Sequence, residues 1–314
     1  MAISAGVLHR IRHQRRQRGL ELHGPYETAG RRFGERMKRL VRVLMIALAV
    51  VSLAAASKGP IALDWHPGGR LYLLLTNGSV SILDETSKRK LATIPSMFGI
   101  VPVEIYSEEI KGREYVFVSG FLGRSAGVWQ YTAEGQPVAK FATPEQAASF
   151  DVDPVRRVLY VASPVTNLVY AIGLDQRGSS AKRVAYLREA EAVGPILFDQ
   201  GRNRVLVGDT GRGTLYEIDP TTGAHQQIAS DLGRPMSLAM DAAFKTLFVA
   251  DALTGRIYVF RVEKGALKRA DAIFTGLRDL SAVSLGPGDT IYVADENGAY
   301  QFSLKTKKLS RFNY

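Results

Sequence analysis

The sequence predicts an all-β chain folded as a six-bladed β-propeller of four-stranded antiparallel blades, and three observations lead there. One unit recurs: "RLYLLLTNGSVSIL" from Arg70, "YVFVSGFLGRSAGVWQY" from Tyr115, "VLYVASPVTNLVYAI" from Val158, "RVLVGDTGRGTLYEI" from Arg204, "TLFVADALTGRIYVF" from Thr246 and "TIYVADENGAYQF" from Thr290. The anchoring apolar residues of these units, Leu71, Val116, Leu159, Val205, Leu247 and Ile291, stand 45, 43, 46, 42 and 44 residues apart, the length of one propeller blade. After residue 56 no 3.6-residue apolar period occurs, while apolar and polar side chains alternate around turns rich in Gly, Asp and Asn. Such alternation builds hairpins.

Each unit has room for four strands. An inner strand precedes the anchor ("IALDW", "SFDVD", "PILFD", "SLAMD", "AVSLG"), the anchor segment and its hairpin partner follow, and a short outer run ends the unit ("KLATI", "PVAKFA", "KRVAYL", "HQQIA", "RADAIF", "KLSRFNY"). Blades are expected at about 59–96, 99–143, 147–190, 193–232, 234–275 and 277–314. Because "KLSRFNY" completes blade 6, no strand is left for exchange, and closure is expected from face-to-face packing of blades 1 and 6.

The formal charge of +11 sits mostly ahead of the repeats. Residues 1–42 hold eleven Lys and Arg against three acids, whereas the other 272 residues carry 30 basic and 27 acidic groups. A nearly balanced body argues against a nucleic-acid partner. "VLMIALAVVSLAAA", Val43 to Ala56, is uncharged, follows Lys38, Arg39 and Arg42, and ends in small residues. It is shorter than the roughly twenty residues of a membrane span and within the range of a secretory apolar core. The expectation is a signal peptide over 37–56, cleaved after Ala56 under a small-x-small rule met by Ala54 and Ala56, with Ser57 first in the mature chain. An uncleaved anchor is the alternative. Met37 is a plausible start, which would leave 1–36 as an untranslated extension. Arg31-Arg32 is followed directly by Phe33, out of step with a twin-arginine signal. Absence of Cys excludes disulfides, metal thiolates and thiol nucleophiles.

The recurring "LYVAD…tGrIyvf" pattern of Leu247–Phe260 and Ile291–Phe302, together with "LYEIDPTTG" at Leu215–Gly223, resembles the NHL, YVTN and gluconolactonase (senescence marker protein) group of six-bladed propellers. The resemblance spans all six repeats. Its lactonase members imply one divalent metal, calcium, magnesium or zinc, held by a Glu of an E-G-P segment, an Asn before an inner strand and an Asp ending a second strand. Here Lys58 of "KGP" replaces the Glu, and Pro235 and Met236 of "GRPMSLAMD" replace the Asn. The Asp has three counterparts, Asp209, Asp251 and Asp295. Repetition at one blade position favours a structural turn role for them over metal binding.

Other chemistry is sparse. Behind the predicted cleavage site only His66 ("DWHPGG") and His225 ("TTGAHQQ") remain, both read as surface residues beside turns. No G-x-S-x-G nucleophile elbow is expected, and "GDTGRGT" at Gly208–Thr214 falls in a hairpin and is not a phosphate loop. Loops leading into inner strands offer Arg234, Arg278 and Asp279 beside Met97 and Phe98, a candidate site for an anionic, partly hydrophobic ligand or a peptide end. Two functions follow. One is a secreted or periplasmic, monomeric binding or scaffold propeller with no cofactor, taking a small molecule or a protein. The alternative is a lactonase-type, metal-dependent hydrolase with a diverged ligand set.

Overall fold

The computed structural model describes residues 59–96, 100–122, 125–175 and 180–314. The signal segment with Ala54, Ala56 and Ser57 lies outside the described residues, as do Lys58, Met97 and Phe98. Six separate four-stranded antiparallel sheets follow one another along the chain. Blade 1 is β1 (Ala62–His66), β2 (Arg70–Leu74), β3 (Val80–Asp84) and β4 (Lys90–Ile94). Blade 2 is β5 (Ile100–Ile110), β6 (Arg113–Leu122), β7 (Ser125–Thr132) and β8 (Pro137–Thr143). Blade 3 is β9 (Ser149–Asp153), β10 (Val158–Ser163), β11 (Leu168–Gly173) and β12 (Lys182–Tyr186). Blade 4 is β13 (Val193–Asp199), β14 (Arg204–Asp209), β15 (Thr214–Ile218) and β16 (His225–Ala229). Blade 5 is β17 (Pro235–Met240), β18 (Thr246–Asp251), β19 (Arg256–Glu263) and β20 (Ala266–Phe274). Blade 6 is β21 (Ala282–Leu285), β22 (Thr290–Asp295), β23 (Gly298–Ser303) and β24 (Leu309–Phe312).

Burial explains the strand sequences. Second strands are covered on both faces by neighbouring blades, so they read as unbroken apolar runs: Leu71 to Leu74, Leu159 to Ala162 and Ile291 to Ala294 are all buried. Outer strands such as β16 and β20 keep only one side covered and are mostly polar and exposed. Six apolar clusters result, one at each blade junction. At about 25 cal/mol per Å² of apolar surface removed from water, these junctions are the main source of stability.

In every blade the turn between first and second strands contains a residue in the left-handed region: Gly69, Lys111 with Gly112, Arg157, Asn203, Phe244 and Gly288. Gly and Asn adopt that conformation readily, so Arg157 (φ 57°) and Phe244 (φ 53°) hold large side chains where the backbone disfavours them. Residues at the start of the inner strands mark the upper face, and these turns mark the lower.

Among the described residues every blade is built from four consecutive strands, with no strand exchanged between blades 1 and 6. Leu63, Leu71, Leu73 and Leu83 of blade 1 pack on Ala282, Tyr292, Ala294 and Ala299 of blade 6. Polar links reinforce the seam. Gly59 N–H donates to the Glu296 carbonyl (2.9 Å), and the Ser281 hydroxyl donates to the Pro60 carbonyl (3.2 Å). Tyr292 meets Phe312 edge-on, with ring centroids 6.1 Å apart, and its hydroxyl donates to Glu85 and accepts from Lys88 Nζ (2.7 Å).

Candidate functional site

An inner strand has one edge with no strand beside it, so its free N–H groups face the axis of the ring and need acceptors. Side chains of the preceding blade supply them. Asp64 accepts from Ser107 N–H (2.7 Å) of blade 2 and Glu104 from Phe150 N–H (2.8 Å) of blade 3. Asp151 accepts from Phe198 N–H (2.6 Å) of blade 4. Ser237 Oγ takes Val283 N–H (3.2 Å) of blade 6, and Ser284 Oγ takes Trp65 N–H (2.9 Å) of blade 1. Five of the six junctions are clasped in this way. Among the described residues, no inner-strand side chain of blade 4 reaches a backbone N–H of β17.

The central channel these strands enclose has a volume of about 1010 Å³. Its walls differ in balance. Blades 1 to 3 contribute Asp64, Glu104, Glu108 and Asp151 set among apolar residues such as Trp65, Val103 and Phe150, and blades 4 and 5 contribute Pro195, Leu197, Met236, Leu238, Met240 and Phe244 with a single acid, Asp241. Along β17 every residue from Met236 to Met240 is partly exposed, whereas β9 and β13 are almost wholly buried.

Burial dominates the acids. It pushes Asp64 up to about 6, against hydrogen bonds from Ser107 and Ser284. Glu104 and Asp151 are each pushed up to about 8 by burial, which outweighs the N–H groups bound to them, and neighbouring carboxylates add a smaller push in the same direction. Glu108 is raised by burial as well, although it accepts from Tyr106 Oη (2.6 Å) and Glu109 N–H (3.0 Å). At neutral pH Glu104 and Asp151 therefore hold their protons for much of the time, and an entering cation would displace them.

The three strand-ending aspartates lie elsewhere. Asp209 is fully buried and accepts from the backbone N–H groups of Glu191, Ala192, Gly211 and Arg212. Asp251 accepts from Arg234 N–H (2.7 Å), Leu253 N–H (2.8 Å) and the Thr254 hydroxyl. Asp295 accepts from the N–H groups of Asn297 (2.8 Å) and Gly298 (2.9 Å). Each sits at the turn of a different blade's second hairpin, on the upper face, where backbone donors engage its carboxylate. Among the described residues no three His, Asp or Glu side chains converge as metal ligands. Replacing Asp209 by Ala should cost about 1–2 kcal/mol of stability as a lost cap does, and calorimetric titration with calcium, magnesium or zinc should read background heat for both proteins. Tight metal binding lost in Asp209→Ala alone would make it a ligand.

On the upper face the wagered arginines part company. Arg234 Nη2 pairs with Asp279 Oδ1 (2.9 Å), bridging the loops that lead into blades 5 and 6, while Arg278 is exposed. One cation, not two, is open to an anion there. The reading of His66 as a surface residue is corrected: it ends β1, is buried, and lies 3.3 Å from Glu114 Oε1. Its Nδ1 accepts from Gly68 N–H (3.1 Å), and burial lowers its pKa, so it is a neutral turn residue. His225 is exposed in β16. The chain does carry one G-x-S-x-G string, Gly123 to Gly127, against the reading above. Ser125 opens β7 opposite Leu122 in an antiparallel pair and no helix follows, which is not an elbow.

The chain is a six-bladed β-propeller. Solved structures share that architecture at low identity. A chain of a nidogen/laminin complex is 15% identical with a TM-score of 0.62, over 76% of this chain and 91% of that one. The PQQ-bound aldose sugar dehydrogenase of Streptomyces coelicolor is 15% identical with a TM-score of 0.58, over 76% and 88%. A structural-genomics protein of unknown function from Bacteroides thetaiotaomicron is 12% identical with a TM-score of 0.63, over 78% and 69%. These likenesses are of fold, and they span binding and enzymatic proteins. No family model matches the chain, and no curated protein does.

Proposed function

We propose that this chain is an exported binding propeller whose central channel takes a small organic cation with an apolar body. The observation that carries the reading is the division of one channel into a carboxyl wall on blades 1 to 3 and a partly exposed apolar wall on β17. An ammonium group set among Asp64, Glu104 and Asp151 exchanges its charge for their protons, while an alkyl or aromatic body covers Met236, Leu238 and Met240. Export rests on the apolar stretch 43–56 behind its basic flank.

The hydrolase alternative has less support. Pro235 and Met236 offer no metal ligand, and the oxygens of Asp209 are taken by backbone donors. Pyrroloquinoline quinone, bound by the sugar dehydrogenase neighbour, is a tricarboxylate, and no Lys or Arg is among the described residues that line this channel. Calorimetry of the full chain with n-hexylamine and benzylamine, in HEPES and in Tris at neutral pH, tests the reading. Amines should bind roughly tenfold or more tightly than hexanol, with a heat that depends on the buffer because protons are released. Equal binding of hexanol, or none of the amines, would sink it.

A further inference from the structure

A second cavity, of about 310 Å³, opens on the lower face in the cleft between blades 2 and 3. Strand register brings its residues together. Arg113, Tyr115 and Phe117 alternate along β6, and Gln130 lies opposite Phe117 on β7, so all four side chains share one surface of blade 2. That surface meets blade 3, where Phe117 packs on Phe150 with ring centroids 6.4 Å apart. Lys111 enters from the β5–β6 turn, and Arg157 enters from the β9–β10 turn of blade 3.

The pocket has donors in excess of acceptors. Arg157 pairs with Asp175, an exposed carboxylate, yet its Nε is buried without an acceptor. Among the described residues neither Lys111 nor Arg113 has a carboxylate within ion-pair distance. Gln130 is only 8% exposed and lines the cavity. Buried donors without acceptors are costly, and native proteins keep few of them unless something else fills the role. Nearby acids have partners already: Glu108, opposite Tyr115 on the same surface, accepts from Tyr106 Oη and Glu109 N–H at the channel side, and Glu114 points to the other side of the blade, toward Arg70 and Tyr72. Arg157 also retains its long side chain at a left-handed turn position where four of the other five blades have Gly or Asn.

We propose that this pocket is an oxyanion site for the phosphate or sulfate group of a small soluble monoester. Arg157, Arg113 and Lys111 supply the charge, and the Gln130 amide and Tyr115 hydroxyl supply neutral donors. Three cations less Asp175 leave a surplus that matches a dianion. Guanidinium forks approaching from two blades suit a tetrahedral group better than a planar one. Ile110 and Leu174 give the ester's carbon skeleton an apolar wall.

Calorimetry of the full chain in HEPES, with inorganic phosphate, sulfate and glycerol 3-phosphate as probes, tests the site. One equivalent should bind, more weakly as salt is raised. Arg113→Gln and, separately, Gln130→Leu should each weaken binding roughly tenfold, the loss expected for one donor to a charged group. Lys305→Gln, an equal loss of charge on exposed blade 6, should leave it unchanged. Arg113 and Lys305 are both exposed, so neither change threatens folding. Absence of heat with all three anions, or equal weakening by Lys305→Gln, overturns the proposal. Sedimentation with phosphatidylcholine vesicles doped with phosphatidic acid separates the sources: capture by vesicles with no binding of the soluble anions also overturns it.

Discussion

The melting temperature should fall as pH rises from about 5 to about 8, the range in which Glu104 and Asp151 give up protons that burial makes them keep. Their folded pKa values of about 8 lie above the ordinary 4.5 and 3.8, so between those limits the folded state binds more protons than the unfolded one. Stability from these groups is fully present below about pH 4, declines with rising pH, and is gone above the folded values. Each unit of displacement is worth about 1.4 kcal/mol, so even a third of it at both sites gives about 3 kcal/mol. For a domain of this size that is a drop of roughly 6–12 °C. Asp64, raised to about 6, adds in the same direction over the lower half of the window. Further down the sign reverses. Asp84 and Asp219 are held below the usual range by hydrogen bonds within their own turns, and Asp289 by hydrogen bonds from Ser303 and Lys305 N–H of the neighbouring hairpin; their contribution is lost as pH falls through those lowered values. Calorimetric melts between pH 5 and pH 9 check this. Glu104→Gln with Asp151→Asn keeps both acceptors for Phe150 and Phe198 N–H and should flatten the profile. A wild-type melting temperature that climbs over the same range would show that these carboxyls are stabilised as anions.

Tyr292→Ala should cost about 3–5 kcal/mol, the range for truncating a fully buried large side chain, and should do so at one place in the ring. Tyr292 stands at the seam of blades 1 and 6, inside the Leu63–Leu71–Leu73–Leu83 cluster, and carries the hydroxyl that joins Glu85 and Lys88. Among the described residues no exchanged strand backs up these contacts. Hydrogen exchange should therefore accelerate first in β1, β2, β21 and β22. Tyr258→Ala, at the junction of blades 4 and 5, provides the comparison and should loosen β14 and β18 instead. Uniform acceleration in both variants would mean that the ring unfolds as one unit, without a local seam.

Much of this architecture was legible because a blade buries its second strand on both faces. That requirement writes the same apolar run six times, and Leu71, Leu159 and Ile291 stand out in the bare sequence. The inner strands are written differently. They balance a packed face against a channel edge whose N–H groups need acceptors, so "IVPVEIYSEEI" carries Pro102, Glu104 and Glu108 and did not read as a strand, although β5 is the longest of the inner set. Pro102, having no N–H, costs nothing at such an edge, and the register shifts between it and Ile105. Asp64 and Asp151 were visible inside "IALDW" and "SFDVD". Only the closed ring shows that residues about one blade apart face a common space. His66 was misread for the same reason, since Glu114 covers it from the next blade. The Arg157 pocket depends on a turn of one blade meeting the strand surface of another, and no local pattern records that.

The clasps around the channel have a mechanical consequence. Five junctions are pinned at their inner edge by a side chain reaching across, and the sixth, between blades 4 and 5, is held by the packing of Leu197, Leu206, Leu232 and Leu247 without such a pin. Apolar packing has no preferred direction, so two surfaces held by it slide or part slightly at lower cost than surfaces fixed by short polar links. The ring is stiff over most of its circumference and compliant at one cut, like a split washer, and the cut lies beside the apolar wall of β17.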